Sequence, residues 1–357
     1  MKKPGIASID EIQAFDEIID VRTPLEFAED HIPGALNFPV LSNEERVRVG
    51  TLHKESAFEA KKIGAALISR NIAAHLENHW LGKPKNWRPL IYCWRGGQRS
   101  GSMTHILRSI GFAATQLEGG YKNYRHHVLE LLATLPGQFS YRVICGLTGS
   151  GKSRLLQALH QIGAQVLDLE QLANHRGSVL GNMPDKPQPS QKFYDSEILA
   201  RLQAFDPSIP VFVESESKKV GSLHVPEALI EQMWQSPCLR LEATSALRVS
   251  LLLEDYSHFL ENPASLQQQL AKLHGMYSNE QLDTWKAMHD TQQWETFVAD
   301  MLVKHYDPAY TRSINNHFAN YGSAPQLHLN SLENQEFLRL AKEALALQDK
   351  FDNNGAE

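Results

Sequence analysis

A chain of 357 residues, 42% hydrophobic and 21% charged, has material for two ordinary cores, and its length favours two domains over one. No apolar run approaches the roughly 20 residues of a membrane-spanning helix, so no membrane association is expected. Three cysteines are too few for a disulfide framework and lack metal-ligand spacing; a reducing, cytoplasmic setting is the expectation. The formal net charge of −6 argues against indiscriminate nucleic-acid binding. Residues 83–125 run against that balance. They hold eight basic residues (Lys83, Lys85, Arg88, Arg95, Arg99, Arg108, Lys122, Arg125) and a single acid, Glu118, which predicts a local surface for an anionic partner.

In chain order, residues 6–20 predict a short helix and a strand. Thr23 can cap a helix with Pro24 at its first position and Glu26 in its first turn. Ile32-Pro33-Gly34-Ala35 is a turn into a short strand, Leu36-Asn37-Phe38. Residues 53–79 carry apolar side chains at helical spacing and read as one long helical region. Next, Pro89-Leu90-Ile91-Tyr92 is an apolar strand that delivers Cys93 to the start of a glycine-rich turn, Cys93-Trp94-Arg95-Gly96-Gly97-Gln98-Arg99-Ser100. A helix follows to Ile110. A loop ending at a helix N-terminus directs N–H groups inward and favours anions. With Arg95 and Arg99 adding positive charge around Gly96 and Gly97, the Cys93 thiol should ionise readily and act as the catalytic nucleophile. A strand at Leu117, a Gly119-Gly120-Tyr121 turn and a helix from Lys122 to Leu135 close a first domain, residues 1–135. Alternating strands and helices imply a mostly parallel sheet.

The second domain, residues 136–357, begins after Pro136-Gly137-Gln138. A strand, Arg142 to Cys145, runs into Gly146-Leu147-Thr148-Gly149-Ser150-Gly151-Lys152-Ser153, and a helix follows. This is a phosphate-binding P-loop in its required strand–loop–helix setting. Gly146, Thr148, Gly149, Ser150 and Gly151 would form the amide nest. Lys152 would bridge terminal phosphates, and Ser153 would hold Mg²⁺ if a metal binds. The strand Pro210 to Val213 ends in Glu214-Ser215-Glu216. Glu214 is the best candidate for the metal-associated carboxylate, and Glu216 could instead salt-bridge to Lys218 or Lys219. Arg176, in a polar loop, is a candidate substrate contact, as are Arg248, Arg312 and the Tyr306–Tyr310 turn. Cys145 and Cys238 lie in apolar strands and read as inert core. Residues 244–317 are nearly all helical and rich in large apolar side chains, a minority of which could line a pocket beside the P-loop.

The Asp20-Val21-Arg22 and Pro24-x-Glu26-Phe27 pattern, His31-Ile32-Pro33-Gly34-Ala35, the cysteine loop and Gly119-Gly120-Tyr121 together resemble a rhodanese domain. Arg99 lies six positions after Cys93, one further than in many single-domain rhodaneses. The same Cys-x5-Arg spacing occurs in phosphatases of this fold, which usually carry His where this chain has Tyr92. With the P-loop, His175-Arg176-Gly177-Ser178 and Val213-Glu214-Ser215-Glu216-Ser217, the whole chain resembles the bacterial tRNA 2-selenouridine synthases. The resemblance implies an α/β fold, a rhodanese-like parallel-sheet domain followed by a P-loop NTPase-like domain with a helical extension. It also implies a transferase that S-geranylates wobble 2-thiouridine in tRNA with geranyl diphosphate and then installs selenium from selenophosphate. On that resemblance the P-loop holds the diphosphate, Cys93 serves the selenium step, Arg95 and Arg99 hold selenophosphate, no cofactor is covalently bound, and an enzyme supplying selenophosphate is a partner. Two rivals stand beside it: a sulfurtransferase fused to an NTP-dependent kinase, and a Cys-x5-Arg phosphatase.

Overall fold

The computed structural model describes residues 5–178, 180–183, 185–261, 263–270 and 273–353. The chain forms two compact units. The first runs to Leu131 and takes in Ser190–Ala200; the second comprises Leu132–Pro189 and the chain from Arg201.

The first unit contains β1 (Ile6–Ala7), β2 (Glu17–Asp20), α1 (Pro24–Glu29), β3 (Leu36–Asn37), α2 (Asn43–Glu55), α3 (Ala57–His75), β4 (Pro89–Tyr92), α4 (Gln98–Ile110), β5 (Thr115–Leu117) and most of α5 (Gly120–Thr134). Its five strands are all parallel, in the order β1-β5-β4-β2-β3. β4, the cysteine strand, is central and buried along its whole length, as a strand covered on both faces must be. The helical region expected over 53–79 divides in two. Ser56 is extended, ending α2 and capping α3 through the Glu59 amide. Ser42 and Glu45 form a reciprocal capping box that starts α2 ten residues before the periodic apolar stretch.

The second unit contains β6 (Tyr141–Cys145), α6 (Lys152–Gln161), β7 (Gln165–Leu167), α7 (Leu169–Leu172), the end of α8 (Gln191–Ala204), β8 (Val211–Glu214), β9 (Lys219–Val220), β10 (Leu223–His224), α9 (Glu227–Gln235) and β11 (Cys238–Ala243). Beyond these come α10 (Ser245–Asp255), α11 (Ser257–Glu261), α12 (Pro263–Leu270), α13 (Asn279–Asp290), α14 (Trp294–Met301), α15 (Asp307–His317), β12 (Gln326–Leu329) and α16 (Asn334–Asn353). A parallel sheet runs β12-β11-β6-β8-β7, with the P-loop strand β6 at its centre. Packing of α6 and α16 on one face buries Leu155, Leu159, Phe337 and Leu340. The helical extension has its own core around Phe259, Trp285, Phe297 and Met301. Among the described residues, no helix is long and apolar enough to cross a membrane.

Candidate functional sites: a cysteine loop and a P-loop cavity

Cys93 leaves β4 at the sheet's C-terminal edge and is buried. Two donors converge on its sulfur: the Gly97 amide at 3.3 Å and the Ser100 hydroxyl at 3.1 Å. Burial alone would raise the thiol's pKa. The Ser100 hydroxyl and amide, the Arg99 charge and the Gly97 amide together outweigh it, so the thiol sits below its ordinary range. The loop backbone is fixed from below. Tyr121 and Lys122 donate their amides to the Cys93 and Trp94 carbonyls at 2.8 and 2.9 Å. That approach requires glycine: Gly120 has φ +59°, and a Cβ there would overlap the Cys93 carbonyl.

Arg99 does not stand free. Its guanidinium donates to both oxygens of Glu26, at 2.8 and 3.3 Å. The Glu26 carboxylate also accepts from the Thr23 amide, closing the capping box of α1. Burial works against the charge on Glu26, but Arg99 more than compensates, and its pKa is lowered. Arg95, Gly97 and Gln98 are exposed, while Gly96 is half-buried at φ +63°. Tyr92, where the phosphatases of this fold carry His, is fully buried, and its phenol oxygen accepts from the Ile32 amide at 3.2 Å. Beneath it, Asp20 and Arg22 form a buried bidentate pair, with the Arg22 guanidinium 3.9 Å from the Tyr121 ring centroid.

The basic run is less basic than its sequence. Lys83 pairs with Glu17, Arg88 with Asp16, Arg99 with Glu26 and Arg125 with Asp195. All four acids lie outside the 83–125 window. Lys85, Arg95 and Lys122 are exposed and have no carboxylate partner among the described residues.

In the second unit, the P-loop lies between β6 and α6 and borders a cavity of about 590 Å³. Thr148, Gly149, Gly151, Lys152 and Ser153 line it, with Arg176 and Glu214. Ser150 is buried behind the loop. Gly146 donates its amide to the Tyr310 phenol oxygen at 2.7 Å, and the Ser215 hydroxyl lies 3.0 Å from the same oxygen. The Lys152 ammonium donates back to the Gly146 carbonyl at 2.9 Å and lies 5.5 Å from the Tyr310 ring centroid. Arg248 is a buried brace rather than a cavity contact. It donates to the Thr148 carbonyl at 2.9 Å and forks onto Asp307. Arg312 is exposed and does not line the cavity.

Three carboxylates gather beside Ser153. Glu170, Glu214 and Glu216 offer oxygens that all lie within 4.8 Å of one another. Ser153 Oγ donates to Glu170 at 3.1 Å and lies 3.5 Å from Glu214. Burial, then repulsion from Asp168, raises Glu170 to about 7 against the pull of Lys152. Burial and mutual repulsion push Glu214 and Glu216 well up. The alternative pairing of Glu216 with Lys218 or Lys219 is absent among the described residues. Glu216 turns inward to Glu170 instead, because the residue two places after a buried strand end shares its side of the sheet. Glu170 had no motif to flag it; its only sequence signal is its place just past the end of β7, beside Asp168. Cys145 and Cys238 are buried in neighbouring strands, as expected of core residues.

A second, narrower space opens beside the cavity. It measures about 60 Å³ and is almost wholly apolar, walled by Phe259, Leu266, Trp294, Phe297, Val298 and Met301 among others. Thr148, Ser178, Leu252, Tyr256 and Tyr306 line both spaces, so the slot adjoins the P-loop cavity.

Residues 7–127 match the Rhodanese-like domain family, and residues 139–283 match the tRNA 2-selenouridine synthase AAA domain. The chain is 36% identical over 265 residues to a tRNA 2-selenouridine synthase of Nitrosomonas europaea, covering 72% of this chain and 68% of that one. It is 30% identical over 327 residues to a tRNA 2-selenouridine synthase of Shewanella halifaxensis, covering 83% and 88%. On these similarities, which span both units, the chain belongs to the tRNA 2-selenouridine synthase family.

Proposed function

We propose that this chain is a transferase that modifies the wobble 2-thiouridine of tRNA in two stages. In the first, the uridine sulfur attacks C1 of geranyl diphosphate; a C–S bond forms, the C–O bond breaks, and diphosphate leaves with the electron pair. In the second, the selenium of selenophosphate forms a C–Se bond at C2 as the C–S bond breaks and geranylthiolate leaves with the electron pair; water then attacks phosphorus, the P–Se bond breaks, and phosphate is released from the 2-selenouridine. The observation that carries the reading is the apolar slot that adjoins the P-loop cavity at Thr148. A phosphate nest beside an apolar slot suits a diphosphate with a hydrocarbon tail better than a nucleotide, whose base and ribose need polar partners. At about 60 Å³ the slot is too small for a ten-carbon chain, which must widen it.

Gly146, Thr148, Gly149, Ser150 and Gly151 would supply the diphosphate nest, with Lys152 and Arg176 holding charge on the leaving group. The donor set beside Ser153, one hydroxyl and three carboxylates, fits a hard divalent cation such as Mg²⁺. A cation there would neutralise charge on the diphosphate. Cys93 would serve the selenium step, with the Gly97 and Ser100 donors, Arg95 and Arg99 stabilising anionic sulfur, selenium or phosphate. A selenophosphate-supplying enzyme would act as a partner. The rival phosphatase reading is weaker because buried Tyr92 stands where phosphatases of this fold usually carry His, and the kinase reading because the slot offers a nucleotide few polar contacts.

Nucleoside mass spectrometry of tRNA treated with each variant tests the assignment. Lys152→Ala should abolish S-geranylthiouridine. Cys93→Ala should spare geranylation and stop selenouridine formation. Undiminished geranylation by the first, or wild-type selenouridine from the second, would refute the corresponding half.

A further inference from the structure

We propose that Gln116 on β5 is a positioning residue for Cys93, holding the Ser100 hydroxyl and the Gly96–Gly97 backbone so that both sulfur donors stay aimed at Sγ. Its side chain reaches the cysteine loop from a strand 20 residues away in sequence. The two N–H groups of Nε2 are shared among three acceptors, the Gly96 carbonyl at 2.7 Å, Ser100 Oγ at 2.8 Å and, more weakly, the Gly97 carbonyl at 3.1 Å. Two of these three partners are carbonyls, which only accept, so the amide nitrogen and not the oxygen must face the loop. Ser100 Oγ therefore accepts from Gln116 and keeps its own proton to donate to Cys93 Sγ at 3.1 Å. The same amide ties down the Gly97 carbonyl, one atom group away from the Gly97 N–H that is the second sulfur donor.

Without Gln116 the Ser100 hydroxyl has another outlet, since the Gly97 carbonyl already lies 3.4 Å from Ser100 Oγ. A hydroxyl turned that way offers the sulfur a lone pair instead of a proton. Gln116 thus decides the sign of the Ser100 contribution. It is placed for this by the parallel pairing of β5 with β4, in which Gln116 lies opposite Ile91, two residues before Cys93. The charged groups near the sulfur are separate from it: Arg99 on α4, its partner Glu26 on α1, the Asp20–Arg22 pair at the end of β2, and exposed Arg95 in the loop. Gln116 bonds the loop rather than any of these, so removing it leaves their charges in place.

The role in catalysis rests on the reading of Cys93 as the reacting thiol, but its test need not. The rate of Cys93 carbamidomethylation by iodoacetamide, followed by peptide mass mapping across pH in the full-length chain, reports the thiolate directly. Cys145 and Cys238 are buried and are resolved as separate peptides. Gln116→Leu should raise the midpoint by about one pH unit, a roughly tenfold slower reaction near neutrality, with the high-pH plateau unchanged. Gln116→Met, which keeps the length and loses the donors, should behave alike and guards against a folding defect. In a Ser100→Ala background, Gln116→Leu should shift the midpoint much less. A midpoint unmoved in folded variants, a loss equal at every pH, or a full shift persisting without Ser100 would overturn the proposal. Should Cys93→Ala retain selenouridine formation, the reading of Cys93 fails while this thiol chemistry still stands or falls on its own titration.

Discussion

Glu26 holds two obligations at once, capping α1 and neutralising Arg99, and the second restrains the anion loop. An incoming oxyanion must compete with a carboxylate for the guanidinium. Glu26→Gln keeps an acceptor for the Thr23 amide and frees the charge. It should tighten binding of a small oxyanion such as thiosulfate several-fold, measured by its protection of Cys93 against alkylation; weaker protection would contradict the competition. Asp20 and Arg22 are fully buried, and losing one partner strands a charge. Asp20→Ala should cost about 3–5 kcal/mol in the urea transition of the first unit. Asp30 carries a pH signature. Burial raises its pKa, and the Tyr121 and Ser196 hydroxyls, donating at 2.6 and 3.0 Å, offset this only partly. A raised carboxyl contributes stability that is fully present below the unfolded value, about 3.9, and is lost as pH rises through the folded value. Thermal melts of Asp30→Asn should lack that fall, so the variant gains on the wild type as pH climbs above about 4.

At the scale of elements, the cysteine loop and the P-loop were legible because each is a local device: a strand end, glycines in required positions, and a helix start. Glu170 and Gln116 were not, because a parallel sheet brings strand ends together without leaving any spacing in the chain. The α2–α3 break was legible in principle, since Ser42, Glu45 and Ser56 are capping residues, but apolar periodicity masked it. The slot also arises at this level, from α10, α11, α12 and α14 packing beside the P-loop. Val298→Phe would fill it at a cost of about 1–3 kcal/mol in stability. It should weaken geranyl diphosphate binding at least tenfold while leaving inorganic diphosphate affinity unchanged. Equal losses for both ligands would place the tail elsewhere.

For the whole molecule, linear charge counting overstated the basic surface, because the neutralising acids come from distant parts of the sequence. The correction changes which residues should matter to a polyanion. Charge reversal at Lys85 and Lys122 should weaken tRNA binding and flatten its salt dependence more than reversal at Lys83 and Arg88, whose charges are already paired. Filter-binding titrations at several salt concentrations measure this, and the opposite ranking would refute it. The P-loop has a comparable property. Its Gly146 amide is already bonded to Tyr310, and its Lys152 ammonium to the loop's own carbonyl. A diphosphate would therefore exchange hydrogen bonds more than create them, so the heat released by that end should be small. Calorimetry should then find the tail's mark instead: a negative heat-capacity change that grows with each added isoprene unit, and that inorganic diphosphate lacks.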